Sequence, residues 1–411
     1  MRQIFFIFLD KTSFIRAGIA QLVEQLICNQ KVEGSTPSVG TSVPRIPLVD
    51  GIKAIACLLI VLHHLAIYGP MSDSAYPLMP NIMDWLREYP RMAVQVFFIA
   101  TGFLLASKLI ASGSSFVINP IQVIKKRYFR LIIPYLAALT MALWCAALAR
   151  YWMTHDSIPS APNGYQLLAH IFLLQDLLNQ EALSAGVWYV AIDFQLFSLT
   201  IFLFWLSDRI QQHCPYLKSL FWVLVIGLVI ISLFVFNRDN FWDETALYFF
   251  GSYGLGILSY WVSNKKRPLL WFAILSALGV IALLVDFRAR LVVAIVVMLL
   301  LGLTRRYGIL SDHLIPNFLI YLGRASYAIF LIHFPLCLIV NAVFSHFFPD
   351  QAQINLCGLF LALGISIFGG ISYFRLNKLF SLQQKNLHFI ICKCSRNNLE
   401  QKLPNHHSNI F

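Results

Sequence analysis

Long apolar blocks separated by short polar stretches run through the chain from residue 48 to residue 376. A helix that crosses a bilayer needs about 20 predominantly apolar residues. Blocks of this kind lie at 48–68, 92–110, 131–150, 187–206, 218–236, 245–263, 268–285, 289–304, 322–345 and 355–376. They predict an all-α, polytopic membrane protein with about ten transmembrane helices. Asp286, Arg288 and Arg290 divide the 268–304 region into two spans, an interruption that a re-entrant turn would also explain. Tyr165–Leu178 is apolar but short, and reads as an interfacial segment rather than an eleventh span.

Composition agrees with this pattern. Of 411 residues, 58% are hydrophobic and 12% charged, about half the charge that a soluble domain carries. A soluble enzyme, a disordered chain and a disulfide-stapled secreted domain are thereby excluded. Most of the eight cysteines sit singly in apolar runs, where they behave as small hydrophobes. Cys392 and Cys394 are close-spaced, but two thiols do not make a zinc site, and no metal is expected.

The few charges orient the spans. Loop 107–130 holds Lys108, Lys125, Lys126, Arg127 and Arg130 with no acid, and loop 263–268 holds Lys265, Lys266 and Arg267. Arg305, Arg306 and Arg324 follow the eighth block, and the C-terminal tail is basic as well. The alternate loops lean acidic: Asp73, Asp84 and Glu88 against Arg87 and Arg91 in 69–91, acids alone in 151–186, and Asp239, Asp243 and Glu244 against Arg238 in 237–244. Cytoplasmic loops are the basic ones, so both termini are expected in the cytoplasm, with loop 286–290 the one mild exception. The net charge of +12 is then an orientation signal. The partner it implies is the lipid bilayer, and nucleic acid is not expected.

The first 45 residues do not share the pattern. Ile4–Leu9 is too short for a span, and Asp10 and Lys11 follow it instead of a signal-peptide cleavage site. Residues 16–40 resemble the conceptual translation of a bacterial threonine tRNA gene: Gly34-Ser-Thr-Pro37 matches what a T-arm encodes, and Ile27-Cys28-Asn29 what an anticodon loop encodes. Residues 1–42 are accordingly expected to be a spurious or disordered extension, with translation starting near Val43. Residues 43–380 form the membrane domain, and 381–411 a polar, basic cytoplasmic tail.

Ionisable side chains inside spans are costly and are functional candidates by default. In the first span, Lys53 and His64 are eleven residues apart. At about 100° per residue they fall on one helix face, and at 1.5 Å rise they lie about 16 Å apart along the axis. One face thus carries a cation near the cytoplasmic mouth and an imidazole deep in the bilayer, while His63 points elsewhere. Thr101 and Gly102 in the second span permit close packing or contact substrate. Arg127 and Arg130 anchor the cytoplasmic end of the third span, and their forks also suit phosphate oxygens. Asp193 lies one turn inside the fourth span, beside Trp188 and Gln195, and needs a partner such as His64 or an arginine. The ninth span contributes Arg324, Ser326, Tyr327 and a second deep imidazole, His333.

Taken in order, these segments resemble the integral-membrane acyltransferase family 3. Asp50-Gly51-Ile52-Lys53 with His64 is similar to the family's first-helix pattern, with Lys where Arg is commoner. The run Phe97–Leu104 is similar to its second-helix signature, with Thr101 for Ser. Arg127 and Arg130 followed by Pro134 match the next block. Trp188–Gln195 matches the tryptophan–acid–glutamine block, with Asp193 for Glu. Gly323–Pro335 matches the late block, with Phe330 for Tyr. The resemblance covers about 44–376. It implies an O-acyltransferase of the bacterial cytoplasmic (inner) membrane that moves an acyl group, often acetyl, from acetyl-CoA or another acyl-CoA to a hydroxyl of a cell-surface carbohydrate or lipid-linked glycan. No cofactor is tightly bound. Lys53, Arg127, Arg130 or Arg324 would hold the CoA phosphates, His64 would act as general base or transient acyl carrier, and Asp193 would orient its ring. Thr101, Trp188, Gln195, Ser326, Tyr327 and His333 would line or support the site. The competing reading is a transporter that uses His64, His333 and Asp193 as a proton relay.

Overall fold

Proline opens several of the long helices, at a position where its missing N–H costs nothing and its fixed φ favours the helix. The computed structural model describes residues 46–112, 119–310 and 314–400, with side chains up to 380. The tRNA-like stretch and the proposed start near Val43 lie outside these residues. Among the described residues every regular element is helical. The ten long helices are α1 (Pro47–Ile67), α2 (Val94–Ser112), α3 (Pro120–Trp152), α4 (Val187–His213), α5 (Leu220–Phe234), α6 (Ala246–Ser263), α7 (Pro268–Val285), α8 (Ala289–Tyr307), α9 (Asn317–Phe347) and α10 (Ala352–Glu400).

Each expected span finds a helix. Eight are long and apolar enough to cross a bilayer, namely α1–α5, α7, α9 and α10 with their flanking turns. The other two fall short for visible reasons. The helix α6 carries three glycines and three serines and is buried along nearly its whole length among α2, α4, α5 and α8, so it faces protein rather than lipid. The helix α8 has arginines at both ends: Arg290, Arg305 and Arg306. Beyond the expected end at 376, α10 continues to Glu400, where a tail was expected.

Helix directions follow from paired contacts. Asp50, His64 and Tyr68 of α1 meet Arg324, His333 and Asn341 of α9, so the two helices run parallel. Leu131 and Trp152 of α3 meet Tyr327 and His346, so α3 runs the same way. Odd-numbered helices must be parallel if the chain alternates across a membrane, and α1, α3 and α9 are. The helices α2 and α6 are parallel too, Phe98 meeting Phe249 and Phe103 meeting Tyr260, and they cross at Gly102 and Gly256. A Cβ on Gly102 would strike the Tyr253 carbonyl, and one on Gly256 the Ile99 backbone. Gly102 is therefore a packing notch, as small residues are at close membrane-helix crossings.

Two loops depart from expectation. The exception at 286–290 has a structural cause. Arg288, 9% exposed, donates to the Leu233 and Ala282 carbonyls near the ends of α5 and α7, and to Asn237 Oδ1 at 2.6 Å. It ties together the C-terminal carbonyls of two neighbouring helices. The 153–186 segment is not simply interfacial. Arg150 Nη1 donates to Pro159 O at 2.6 Å, and Tyr128 OH donates to Ile171 O at 2.8 Å. Arg150 and Tyr128 are separated by about 33 Å along α3. The segment thus re-enters, running back beside α3 through a short helix, Gly164–Ile171, fixed by an Asn163/Gln166 capping box. Tyr165, Leu168, Phe172 and Leu177 remain exposed on its outer side.

Candidate functional site

The parallel packing of α1 on α9 brings two buried imidazoles together. His64 Nδ1 lies 2.6 Å from His333 Nε2, with the rings parallel to within 9°. The packing is close because Gly323 of α9 lies directly on the Asp50 backbone. His333 is fully buried, and its Nδ1 lies 2.7 Å from the Phe330 carbonyl of its own helix. A carbonyl only accepts, so His333 Nδ1 carries the hydrogen. In the neutral ring, His333 Nε2 is then an acceptor. His64 Nδ1 must donate to it, which leaves the lone pair on His64 Nε2. That nitrogen has no hydrogen-bond partner among the described residues, and His64 keeps partial exposure. The pair therefore fixes one tautomer of His64 and presents an unprotonated nitrogen. Neighbouring His63 turns away, Nδ1 donating to the Leu86 carbonyl at 2.9 Å, and the Tyr68 ring lies 5.3 Å from His64.

The expected link between Asp193 and His64 is not made. Asp193 is bound by Arg127 Nη2, with side chains 5% and 17% exposed. The reason is register: Asp193, in the second turn of α4, meets α3 at Arg127, near the basic end of the bundle. Lys53 lies in the field of both Asp50 and Asp193. Arg324 pairs with Asp50 at 3.5 Å and stays 42% exposed, and Arg130 is exposed. Asp50, Arg324, Tyr321, Phe374 and Lys378 line a cavity of about 480 Å³. Of the four predicted phosphate ligands, Arg324 borders this cavity and Arg127 is committed to Asp193. Around that ion pair, Asp193 Oδ1, Arg127 Nε, Gln195 Nε2 and Tyr253 OH are buried without partners among the described residues.

The remaining predicted residues divide between packing and polar contact. Ser326 Oγ donates to Gly323 O of its own helix at 2.8 Å, and Tyr327 OH donates to Leu131 O at 3.1 Å, tying α9 to α3. Trp188 packs on Phe249 at 5.6 Å. Thr101 stands beside the Tyr189 hydroxyl. Sequence reasoning missed the Phe330 carbonyl, which has no side-chain signal. It also missed Gly186, which opens α4 with φ of 81°. A Cβ there would lie 2.6 Å from Phe330 Cζ.

The arrangement offers an unprotonated nitrogen deep among the helices and cations about 16 Å away along α1. No curated protein and no solved structure matches the chain. The profile of a family described as an acyltransferase domain does match, over residues 46–375. That is most of the chain and every element of the site: the protein belongs to the acyltransferase 3 family and is a membrane acyltransferase.

Proposed function

We propose that the protein transfers an acyl group, typically acetyl, from acyl-CoA to a hydroxyl of a carbohydrate or glycolipid, at the cytoplasmic membrane of a bacterium. The observation that carries the reading is the lone pair on His64 Nε2, set by the chain from the Phe330 carbonyl through His333. His64 Nε2 takes the proton of the acceptor hydroxyl as its oxygen attacks the thioester carbonyl. The C–S bond breaks, and the CoA sulfur leaves with that proton. While His64 is protonated, its Nδ1–H bond to His333 is charge-assisted and stronger.

The donor enters from the basic end. Arg324, Lys378 and Lys53 favour the CoA phosphates there, and the pantetheine arm is similar in length to the Lys53–His64 separation of about 16 Å. Arg127 supports this end by holding Asp193, rather than by binding phosphate itself. The buried ion pair keeps two charged side chains in fixed positions beside Lys53.

The test is transfer of label from acetyl-CoA by the purified protein in lipid. General-base catalysis contributes about 10²- to 10⁴-fold, so His64→Ala should lose that much in kcat with donor binding retained. Undiminished transfer by His64→Ala removes His64 from the mechanism.

A further inference from the structure

A second group of buried polar side chains lies on the re-entrant segment, apart from the Arg127–Asp193 pair. Gln175 is fully buried, and its Nε2 donates to Asp176 Oδ2 at 3.0 Å and to Val187 O at 3.5 Å. Its Oε1 has no partner among the described residues. Ser184, 3% exposed, has an equally unpartnered Oγ, and its carbonyl accepts from Val187 N at 3.5 Å. The Tyr135 hydroxyl on α3, within the field of Asp176, is the third. Buried polar atoms are hydrogen-bonded in the great majority of cases. Gln175 and Tyr135 flank the Asp176 carboxylate, and Gln175 and Ser184 both reach the Val187 backbone, so the three unpartnered atoms mark a place built for polar ligand atoms.

This place adjoins the imidazole pair. Gly186 packs on the Phe330 ring, and the Phe330 carbonyl fixes His333. The Tyr189 ring lies 5.4 Å from Phe330 on the same side. The segment carries no lysine or arginine, unlike the basic end assigned to the donor. Its groups are an amide oxygen, two hydroxyls and a carboxylate, which accept from and donate to alcohols and offer no cation to a phosphate. Burial, reinforced by the Glu244 carboxylate, pushes Asp176 up to about 6, so the group is held in a poorly hydrated setting.

We propose that Gln175, Asp176, Ser184 and Tyr135 form the acceptor subsite, gripping hydroxyls of a polyhydroxylated acceptor while another hydroxyl of that molecule is presented to His64. This rests on the acyl-transfer reading above and adds the place and chemistry of acceptor recognition. No covalent step occurs at these residues. They act by orienting the acceptor, so their loss weakens discrimination between a polyol and a simple alcohol.

The experiment uses the full chain in lipid, labelled acetyl-CoA, and two probe acceptors: a panel of methyl hexosides, and n-butanol. Wild-type protein is expected to prefer at least one hexoside. Gln175→Ala and Ser184→Ala should each lower the hexoside-to-butanol ratio of kcat/KM about tenfold, the effect of one lost hydrogen bond in a buried site, by raising the hexoside KM. Acetyl-CoA binding measured by calorimetry should not change. Ser184→Ala removes one hydroxyl without adding volume, and carries the test if Gln175→Ala does not fold. A wild-type protein with no hexoside preference, or variants with an unchanged ratio, overturns the subsite. Full transfer by His64→Ala overturns the acyl-transfer mechanism instead, so the two failures are distinct.

Discussion

Replacing His333 with leucine tests the imidazole pair in detail. The substitution keeps volume but removes the acceptor for His64 Nδ1–H, 2.6 Å away. In the resting enzyme that bond joins neutral groups, and such a bond contributes about 1 kcal/mol. Once His64 has taken the acceptor proton, the bond joins a cation to a neutral ring, and is worth about 1.5–3 kcal/mol. The transition state therefore loses about 0.5–2 kcal/mol more than the ground state, a fall in kcat of roughly 2- to 30-fold. The assay is steady-state transfer from labelled acetyl-CoA, with donor binding measured separately. Donor affinity should be unchanged, because the interaction lost matters mainly as charge develops. In His333→Gln, the side-chain oxygen sits near the original Nε2 and accepts, so most of the rate should return. A His333→Leu protein with wild-type kcat, or glutamine no better than leucine, refutes the reasoning.

The Arg127–Asp193 pair is deeply buried, so Arg127→Met alone should destabilise by about 3–5 kcal/mol by stranding a carboxylate. The double variant with Asp193→Leu should unfold later than either single one, and additive losses in a thermal melt would contradict this. Asp176, shifted from 3.8 to about 6 by burial and then by Glu244, is charged above that pH. The hexoside KM should rise as pH falls through about 6, and Asp176→Asn should flatten the profile. Because folding raises this pKa, its contribution to stability is fullest below 3.8 and is lost as pH rises through about 6. Gly102→Val forces side-chain atoms into the Tyr253 carbonyl and should cost about 1–3 kcal/mol. Gly227→Ala, where a Cβ meets nothing within 4 Å, is the control, and an equal loss in both would remove the packing argument.

Much of this was legible in the sequence, and the divisions have physical causes. Span positions follow from hydropathy over about 20 residues, a local property, and the helices appeared where expected. The Lys53–His64 relation is internal to one helix and needs only 3.6 residues per turn. The partner of His64 was not legible, because His333 lies 269 residues away and meets it only through the parallel docking of α1 on α9. For the same reason Asp193 could be given an arginine or a histidine from sequence, and only the packing of α4 on α3 decides for Arg127. The path of 153–186 escaped because its apolar run is too short for a span. Its anchors, Tyr128 and Arg150, carry no hydropathy signal. Arg288 was misleading as a topology charge, since it is used to cap helix ends.

The central claim is the protonation pattern of His64, and histidine ¹⁵N NMR of the protein in lipid at neutral pH reads it directly. Subtracting the spectrum of His64→Gln isolates the two ring nitrogens. The account predicts a protonated Nδ1 and an unprotonated, pyridine-type Nε2. A protonated Nε2 with a free Nδ1, or a doubly protonated ring, would contradict it.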